Sequence, residues 1–229
     1  MILSRRLFAA FATALMFSPA AAVPPKKPVD WTRTVVATPE GGFRMGNPAA
    51  KVKLVEYGSL TCPHCRHFAE TGMAPLMAYV KRGKVSFEYR SFILNGVDVS
   101  ASLVARCGGA SRFFPMVERF YATQSDWAGN VAGMSDAEKR RLSGLSDGER
   151  LVAIANAGGF QKIAAASGLP VAQANKCLTD SKAFERIGEI YEKAVSQGVQ
   201  GTPTFFVNGT KVNAGDWASL EPFIKKAGG

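Results

Sequence analysis

Residues 55–67 read VEYGSLTCPHCRH, and this segment decides the fold. An apolar strand leads into it, and a helix is predicted to begin at its first cysteine. The spacing of Cys62 and Cys65 places both sulfurs on one face of a helical turn, so they can form a disulfide with little movement of the backbone. Pro63 fits this interpretation, because the first turn of a helix requires no N–H donor.

The position of Cys62 at a helix start favours its thiolate form, because unpaired N–H groups and the positive end of the helix dipole lie there. His64 can place a cation or a hydrogen-bond donor beside the same sulfur. The segment therefore predicts a thiol–disulfide oxidoreductase. The alternatives are a structural disulfide and a metal site that includes His67. The chain has two histidines and no second CxxC, so the metal site is disfavoured and His67 is expected to be a surface or packing residue.

The composition is that of a globular protein: 229 residues, 47% of them hydrophobic and 20% charged. Such a chain can bury a sizeable core, as one domain or as one domain with a large insertion. The net charge of +10 would suit nucleic acid or an anionic membrane surface as a partner. The basic residues are scattered, however, so a solvated surface is favoured and no nucleic-acid partner is expected.

The first residues have the pattern of a secretory signal peptide. Arg5 and Arg6 precede an apolar run over residues 7–17, and small residues end at Ala22. The run is too short to span a bilayer comfortably, which disfavours the alternative of an uncleaved membrane anchor. Residues 1–22 are therefore predicted to be removed on export, by either the general or the twin-arginine route. Residues 23–33 are predicted to form a linker.

The remaining chain alternates between strand and helix patterns. A strand at 52–57, a helix at 62–81 with a kink at Gly72 and Pro75, and a strand at 85–92 predict a βαβ unit with parallel strands. Strand patterns vanish between about residues 98 and 197, where six helices are predicted: 101–107, 112–123, 149–157, 160–166, 171–178 and 181–197. The other predicted elements are strands at 34–38, 43–45, 204–207 and 211–213, a hairpin turn at Asn208-Gly209, and a helix at 217–227.

Two motifs together resemble the DsbA-type periplasmic thiol:disulfide oxidoreductases of the thioredoxin-fold superfamily. They are Cys62-Pro63-His64-Cys65 and the later segment GTPTF at residues 201–205, and the resemblance extends over residues 34–228. It implies an α/β thioredoxin fold, a mixed central sheet flanked by helices, with an all-helical insertion. The expected division is residues 34–97 and 186–229 for the two parts of the thioredoxin fold and 98–185 for the insertion.

The resemblance also implies roles for individual residues. Cys62 would be the exposed nucleophile and Cys65 its buried partner. Glu56 would be a partly buried carboxylate that helps proton transfer, the alternative being a strand-end carboxylate in water. Thr202 and Pro203 would border the substrate groove with a cis peptide bond, the alternative being an ordinary trans turn proline. Thr202 departs from the valine of the best-known family member, which leaves the choice between oxidase and isomerase open.

The function implied is the introduction of disulfides into unfolded or reduced exported proteins in the periplasm. A membrane quinone-linked oxidase of DsbB type would be the electron acceptor, the protein would be a monomer, and no cofactor or metal is expected. One alternative is an isomerase or reductase. These usually carry a dimerisation segment before the fold, and about a dozen residues lie between the predicted cleavage site and Thr34. Another is a non-enzymatic peptide- or metal-binding module on the same fold.

Two further cysteines, Cys107 and Cys177, stand apart from the CxxC pair. They could be free buried thiols. A working CxxC pairs with itself, however, and an exported protein permits disulfides, so a Cys107–Cys177 bridge is favoured. Both residues follow apolar positions on predicted insertion helices, so this bridge is expected to be buried and structural.

Overall fold

The computed structural model describes residues 29–229, so the predicted signal peptide and residues 23–28 of the predicted linker lie outside the described residues. The strands are β1 (Val35–Ala37), β2 (Phe43–Gly46), β3 (Val52–Gly58), β4 (Val85–Ser91), β5 (Thr204–Val207) and β6 (Thr210–Val212). They form one mixed sheet in the order β1-β2-β4-β3-β5-β6. The pair β3 and β4 is parallel, as the βαβ pattern predicted, and the other neighbouring pairs are antiparallel.

The helices are α1 (Pro63–Thr71), α2 (Met73–Lys81), α3 (Gly96–Cys107), α4 (Ala110–Ala122), α5 (Gln124–Ala132), α6 (Asp136–Ser143), α7 (Asp147–Gly158), α8 (Phe160–Ala166), α9 (Val171–Leu178), α10 (Ser181–Ser196) and α11 (Trp217–Lys226). The single helix predicted over residues 62–81 is divided at Gly72 into α1 and α2. A Cβ atom at Gly72 would lie 2.6 Å from the ring of Phe68, so the chain at this break packs closely on the preceding turn.

The helical insertion and the sheet share one hydrophobic core. The ring of Phe113 in α4 stacks on Phe43 of β2 at 4.1 Å between centroids, and Phe114 packs on Phe87 of β4 at 5.7 Å. The boundaries predicted for the insertion, at residues 98 and 185, fall within α3 and α10, which are both continuous. The insertion therefore packs as an integral layer of the fold.

The prediction of a linker over residues 23–33 is wrong for its last residues, which are structured. Trp31–Arg33 form a short 3-10 helix that packs against α2 and β2. Asp30 caps this helix by accepting a hydrogen bond from the Thr32 N–H at 3.1 Å. The apolar Trp31 ring explains the difference, because it lies against Gly83 at the end of α2 rather than in solvent. Within residues 29–229 there is no helix with the length and apolar character needed to cross a membrane.

Candidate active site

The CxxC pair lies where the central strand β3 passes into α1. Cys62 is the N-cap residue of α1, and Pro63 occupies the first helical position. Neither thiol is in a disulfide, and Cys65 is fully buried. The expectation that Cys62 is exposed is wrong, because only 4% of its surface is accessible. The loop before β5 lies against it, and in its protonated form the Cys62 thiol donates a hydrogen bond to the Thr202 carbonyl oxygen at 3.3 Å.

The surroundings of Cys62 favour its thiolate. Its pKa is lowered to about 5, first by the hydrogen bond with the Cys65 thiol, then by Thr202 and by the backbone N–H groups of Cys65 and His64, all against the opposing effect of burial. The Cys65 N–H donates to the Cys62 sulfur at 3.4 Å. The Thr202 hydroxyl is buried and has no hydrogen-bond partner within residues 29–229, which leaves it free to donate to a thiolate.

Cys65 behaves in the opposite way. Burial raises the pKa of its thiol well above the usual value, and the hydrogen bond with Cys62 acts in the same direction, as does Glu56 in its ionised form. At neutral pH the reduced pair therefore consists of a thiolate at Cys62 and a protonated thiol at Cys65. A thiolate is the form that attacks or leaves in disulfide exchange, so the two sulfurs are chemically distinct.

Glu56 lies on β3 and is only 2% exposed, so the alternative of a carboxylate in water is wrong. Burial raises its pKa to about 8, and the charge of the nearby Cys62 thiolate adds to the shift. The side chain lines a cavity of about 560 Å³ between α1, α2 and α4, whose other walls are mostly apolar. Glu56 is therefore a protonated acid at neutral pH. It lies close enough to the redox pair for its ionised form to be disfavoured by the charge of the Cys62 thiolate.

The side chains of the two histidines both lie at the surface, as expected for His67. His64 is exposed, and it is its backbone N–H that contributes to the lowered pKa of Cys62. His67 is also exposed, and its charge acts on Asp216. No cluster of three or more histidine, cysteine or acidic side chains suited to a metal ion occurs in the part of the chain that the structure describes.

The segment GTPTF brings Thr202 to the redox pair. The peptide bond between Thr202 and Pro203 is cis, and both residues are half-buried. The contact between the Thr202 carbonyl and the Cys62 sulfur fixes this loop beside the helix start. Thr202 therefore borders the Cys62 sulfur, with Pro203 as its cis-bonded neighbour, and the contact of these two residues with a substrate stays a prediction.

Three residues near the site have no signature in the sequence. Gln124 donates from its side-chain nitrogen to the carbonyl oxygens of Leu60 at 2.7 Å and Cys62 at 3.1 Å. Asp98 accepts from the Leu60 N–H at 3.0 Å, and the Tyr121 hydroxyl donates to the Ser59 carbonyl at 3.1 Å. All three come from the insertion. No motif marks them, because contacts across this many residues are fixed only by the packing of α3, α4 and α5.

Cys107 and Cys177 form a disulfide that joins the end of α3 to α9, with 5.8 Å between their Cα atoms. The bond is half-buried rather than fully buried as expected. Cys107 is the last residue of α3, so its side chain lies at the edge of the helical layer rather than inside it. The residues beneath this edge, Ala174 and Leu178, supply the buried side of α9.

Comparison with known proteins agrees with this architecture. Residues 38–226 match the family described as thioredoxin. A crystal structure of a protein-disulfide isomerase from Novosphingobium aromaticivorans superposes with a TM-score of 0.75 and 33% sequence identity, over 81% of this chain and 97% of that chain. The alpha-DsbA1 structure from Wolbachia pipientis has a TM-score of 0.67, 23% identity and 84% and 92% coverage, and it supports the fold alone.

A Rickettsia bellii protein provisionally named protein-disulfide oxidoreductase is 30% identical over 191 residues, which are 82% of this chain. The matched region spans 65% of that longer relative. The site has the features of a redox-active thiol pair on a thioredoxin fold. The chain belongs to the thioredoxin family, whose description matches residues 38–226.

Proposed function

We propose that this protein is an exported thiol–disulfide oxidoreductase that introduces disulfides into other proteins through Cys62 and Cys65. The observation that carries the proposal is the opposed shift of the two thiol pKa values, to about 5 at Cys62 and upward at Cys65. Each pKa unit by which Cys62 lies below ambient pH stabilises the reduced pair by about 1.4 kcal/mol, or about 30 mV. A stable reduced pair makes the corresponding disulfide an oxidant.

In the first step, a substrate thiolate attacks the Cys62 sulfur of the Cys62–Cys65 disulfide. A mixed disulfide forms between the substrate and Cys62, and the electron pair of the broken bond leaves on Cys65. A thiolate of such high pKa is a poor leaving group, so proton donation assists the step. Glu56 is the acid that can supply this proton, because it is protonated at neutral pH, and it becomes a carboxylate in doing so.

In the second step, another substrate thiolate attacks the substrate sulfur of the mixed disulfide. The product disulfide is released, and Cys62 leaves as a thiolate, which its lowered pKa makes a good leaving group. Two electrons then reside on the Cys62/Cys65 pair. Turnover requires an acceptor, and we assign this role to a membrane quinone-linked oxidase of DsbB type because the sequence resembles DsbA-type proteins.

The substrates proposed are unfolded or reduced exported proteins that contact the loop at Thr202 and Pro203. Residues 1–22 have the pattern of a signal peptide for the periplasm, and the working unit is proposed to be a monomer. N-terminal sequencing of the exported protein tests the first point, with cleavage expected after Ala22. Sedimentation at micromolar concentration tests the second.

Isomerisation is the second candidate, because the Novosphingobium structure with 33% identity is named as a protein-disulfide isomerase. Two assays separate the functions. In the first assay, the oxidised protein is mixed with a reduced unfolded protein, and the remaining free thiols are counted. In the second assay, the reduced protein is mixed with a substrate that contains scrambled disulfides, and the recovery of substrate activity is measured. An oxidase removes two substrate thiols per molecule in the first assay and restores little activity in the second.

The control for both assays is the double variant Cys107→Ala/Cys177→Ala, which keeps the redox pair and is expected to retain activity. In the second assay, the Cys62 thiolate of the variant Cys65→Ala attacks a substrate disulfide, and one substrate sulfur leaves as a thiolate. The resulting mixed disulfide should accumulate, because no Cys65 thiol is present to displace the substrate from Cys62. Loss of substrate thiols at the rate of air oxidation alone would contradict the proposal. Fast repair of scrambled disulfides without net thiol oxidation would favour the isomerase instead.

A further inference from the structure

The loop that carries Cys62 is held by side chains of the insertion. Both backbone polar groups of Leu60 are hydrogen-bonded to the insertion. Its N–H donates to Asp98 at 3.0 Å, and its carbonyl oxygen accepts from Gln124 at 2.7 Å. Ser59 accepts from the Tyr121 hydroxyl at 3.1 Å, and Cys62 accepts from Gln124 at 3.1 Å. Four backbone groups of residues 59–62 thus form hydrogen bonds with side chains of the insertion.

The three side chains are all buried, and each comes from a different helix: Asp98 from α3, Tyr121 from α4 and Gln124 from α5. A buried polar side chain is costly unless it is hydrogen-bonded, and these side chains find partners in the redox loop. Asp98 also accepts from the Leu94 N–H at 3.1 Å, which ties the loop to the segment that follows β4. The redox loop is therefore held by hydrogen bonds from three helices and not by one residue alone.

The position of this loop decides how the helix start meets the Cys62 sulfur. The Cys62 carbonyl is shared between the Arg66 N–H at 3.1 Å, which begins α1, and the Gln124 side chain at 3.1 Å. Rotation of this peptide would move the Cys62 side chain relative to the N–H of Cys65, which already donates at 3.4 Å. A longer contact would weaken quickly, because hydrogen bonds depend steeply on distance and angle.

We propose that the helical insertion positions the redox loop, with Gln124, Tyr121 and Asp98 as positioning residues that hold the Cys62 sulfur within reach of the N–H groups at the start of α1. The proposal rests on the proposed redox function of the CxxC pair. The hydrogen bonds that these three side chains give to or accept from the redox loop all involve its backbone and not the sulfurs. They act through the backbone of residues 59–62.

The variant Gln124→Met tests the proposal, with Gln161→Met as a matched control. Gln161 is likewise a buried glutamine of the insertion, but its side-chain nitrogen donates to Asn175 at 3.1 Å, away from the redox loop. The readouts are the thiolate absorbance of Cys62 against pH and the equilibrium of the redox pair with glutathione. Both are measured on the complete folded protein and need no protein substrate.

Gln124→Met is expected to move the Cys62 titration midpoint upward by about one pH unit and to make the glutathione equilibrium about tenfold less oxidising, since one pKa unit is a factor of ten. Gln161→Met should lower stability without moving either value. The proposal is overturned if folded Gln124→Met titrates like the wild type. It is also overturned if both variants shift equally, which would mean general loosening of the insertion.

If Gln124→Met does not fold, Tyr121→Phe decides the matter, because it removes one hydroxyl and keeps the buried ring. An upward shift of the Cys62 midpoint in this variant supports the proposal, and an unchanged midpoint overturns it. Failure of the proposed oxidase function would be seen differently, as a wild-type protein that leaves substrate thiols unoxidised while its own thiolate titration is intact.

Discussion

Glu56→Gln is expected to make the reduced protein more stable at neutral and alkaline pH. In the unfolded chain the carboxyl ionises near its ordinary pKa of 4.5, whereas burial holds it protonated in the folded protein up to a pKa of about 8. For an acid whose pKa is raised by folding, stability is complete below the unfolded pKa and falls as pH rises towards the folded one. Glutamine does not titrate, so the variant escapes this loss.

The size of the effect follows from the two pKa values, 8 − 4.5 = 3.5 units. At about 1.4 kcal/mol per unit, the gain for Glu56→Gln approaches an upper limit of about 5 kcal/mol at pH 8 and above, and about 3 kcal/mol at pH 7. Near pH 4.5 the wild type and variant should be equally stable. Part of the shift comes from the Cys62 thiolate, so the gain should be smaller in the oxidised protein, which has no thiolate.

Urea unfolding at pH 4.5, 7 and 8, in both redox states, measures these differences. The control is Glu88→Gln, because Glu88 is also buried on the sheet but accepts from Arg90 at 2.7 Å and from the Thr38 hydroxyl at 2.7 Å. Loss of this carboxylate should destabilise the protein, since it removes the charge nearest to Arg90 and leaves Glu40, at 3.9 Å, as its remaining acidic partner. A Glu56→Gln variant no more stable than the wild type at pH 8, or a gain independent of pH, would refute the reasoning.

Three further predictions concern the cysteines and His64. In the reduced protein, thiolate absorbance should show a transition for Cys62 near pH 5, and a single transition near the free-thiol value of about 8.5 would contradict the site's electrostatics. His64→Ala should raise this midpoint by less than about one unit, because the backbone N–H groups remain, and a larger rise would mean that the imidazole dominates. The variant Cys107→Ala/Cys177→Ala opens a loop with a sequence separation of 70 and should lose about 4 kcal/mol of unfolding free energy. An unchanged denaturation midpoint would show that the bridge is dispensable.

The elements with strong local patterns were predictable from sequence. A few consecutive residues suffice to predict three features that the structure contains: the strand β3, the turn at Asn208-Gly209 and the start of α1 at Cys62. The helices α5 and α6 were missed. The residues of α6 are mostly exposed and strongly polar, so no apolar stripe marks it, and α5 has only two buried residues.

The electrostatics of the site were only partly predictable. A helix start beside Cys62 implies a stabilised thiolate, but the burial of Glu56 depends on α4 closing over the sheet from the insertion. In the same way, the exposure of Cys62 depends on the Thr202 loop, which lies 140 residues along the chain. Local sequence carries no information on such contacts. The burial of Glu56 and Cys62 was therefore not predicted, whereas the chemistry of the CxxC motif was.

The central position of β3 also constrains the order in which the chain can fold. One neighbour, β4, follows it closely in sequence, but the other, β5, pairs through contacts such as Leu54 with Val207. A chain that emerges from its N-terminus therefore presents β3 with one open hydrogen-bonding edge until the whole insertion and α10 have appeared. Open edges pair readily with other chains, so this protein is most vulnerable to aggregation during its own synthesis, before residues 204–207 arrive to cover the strand.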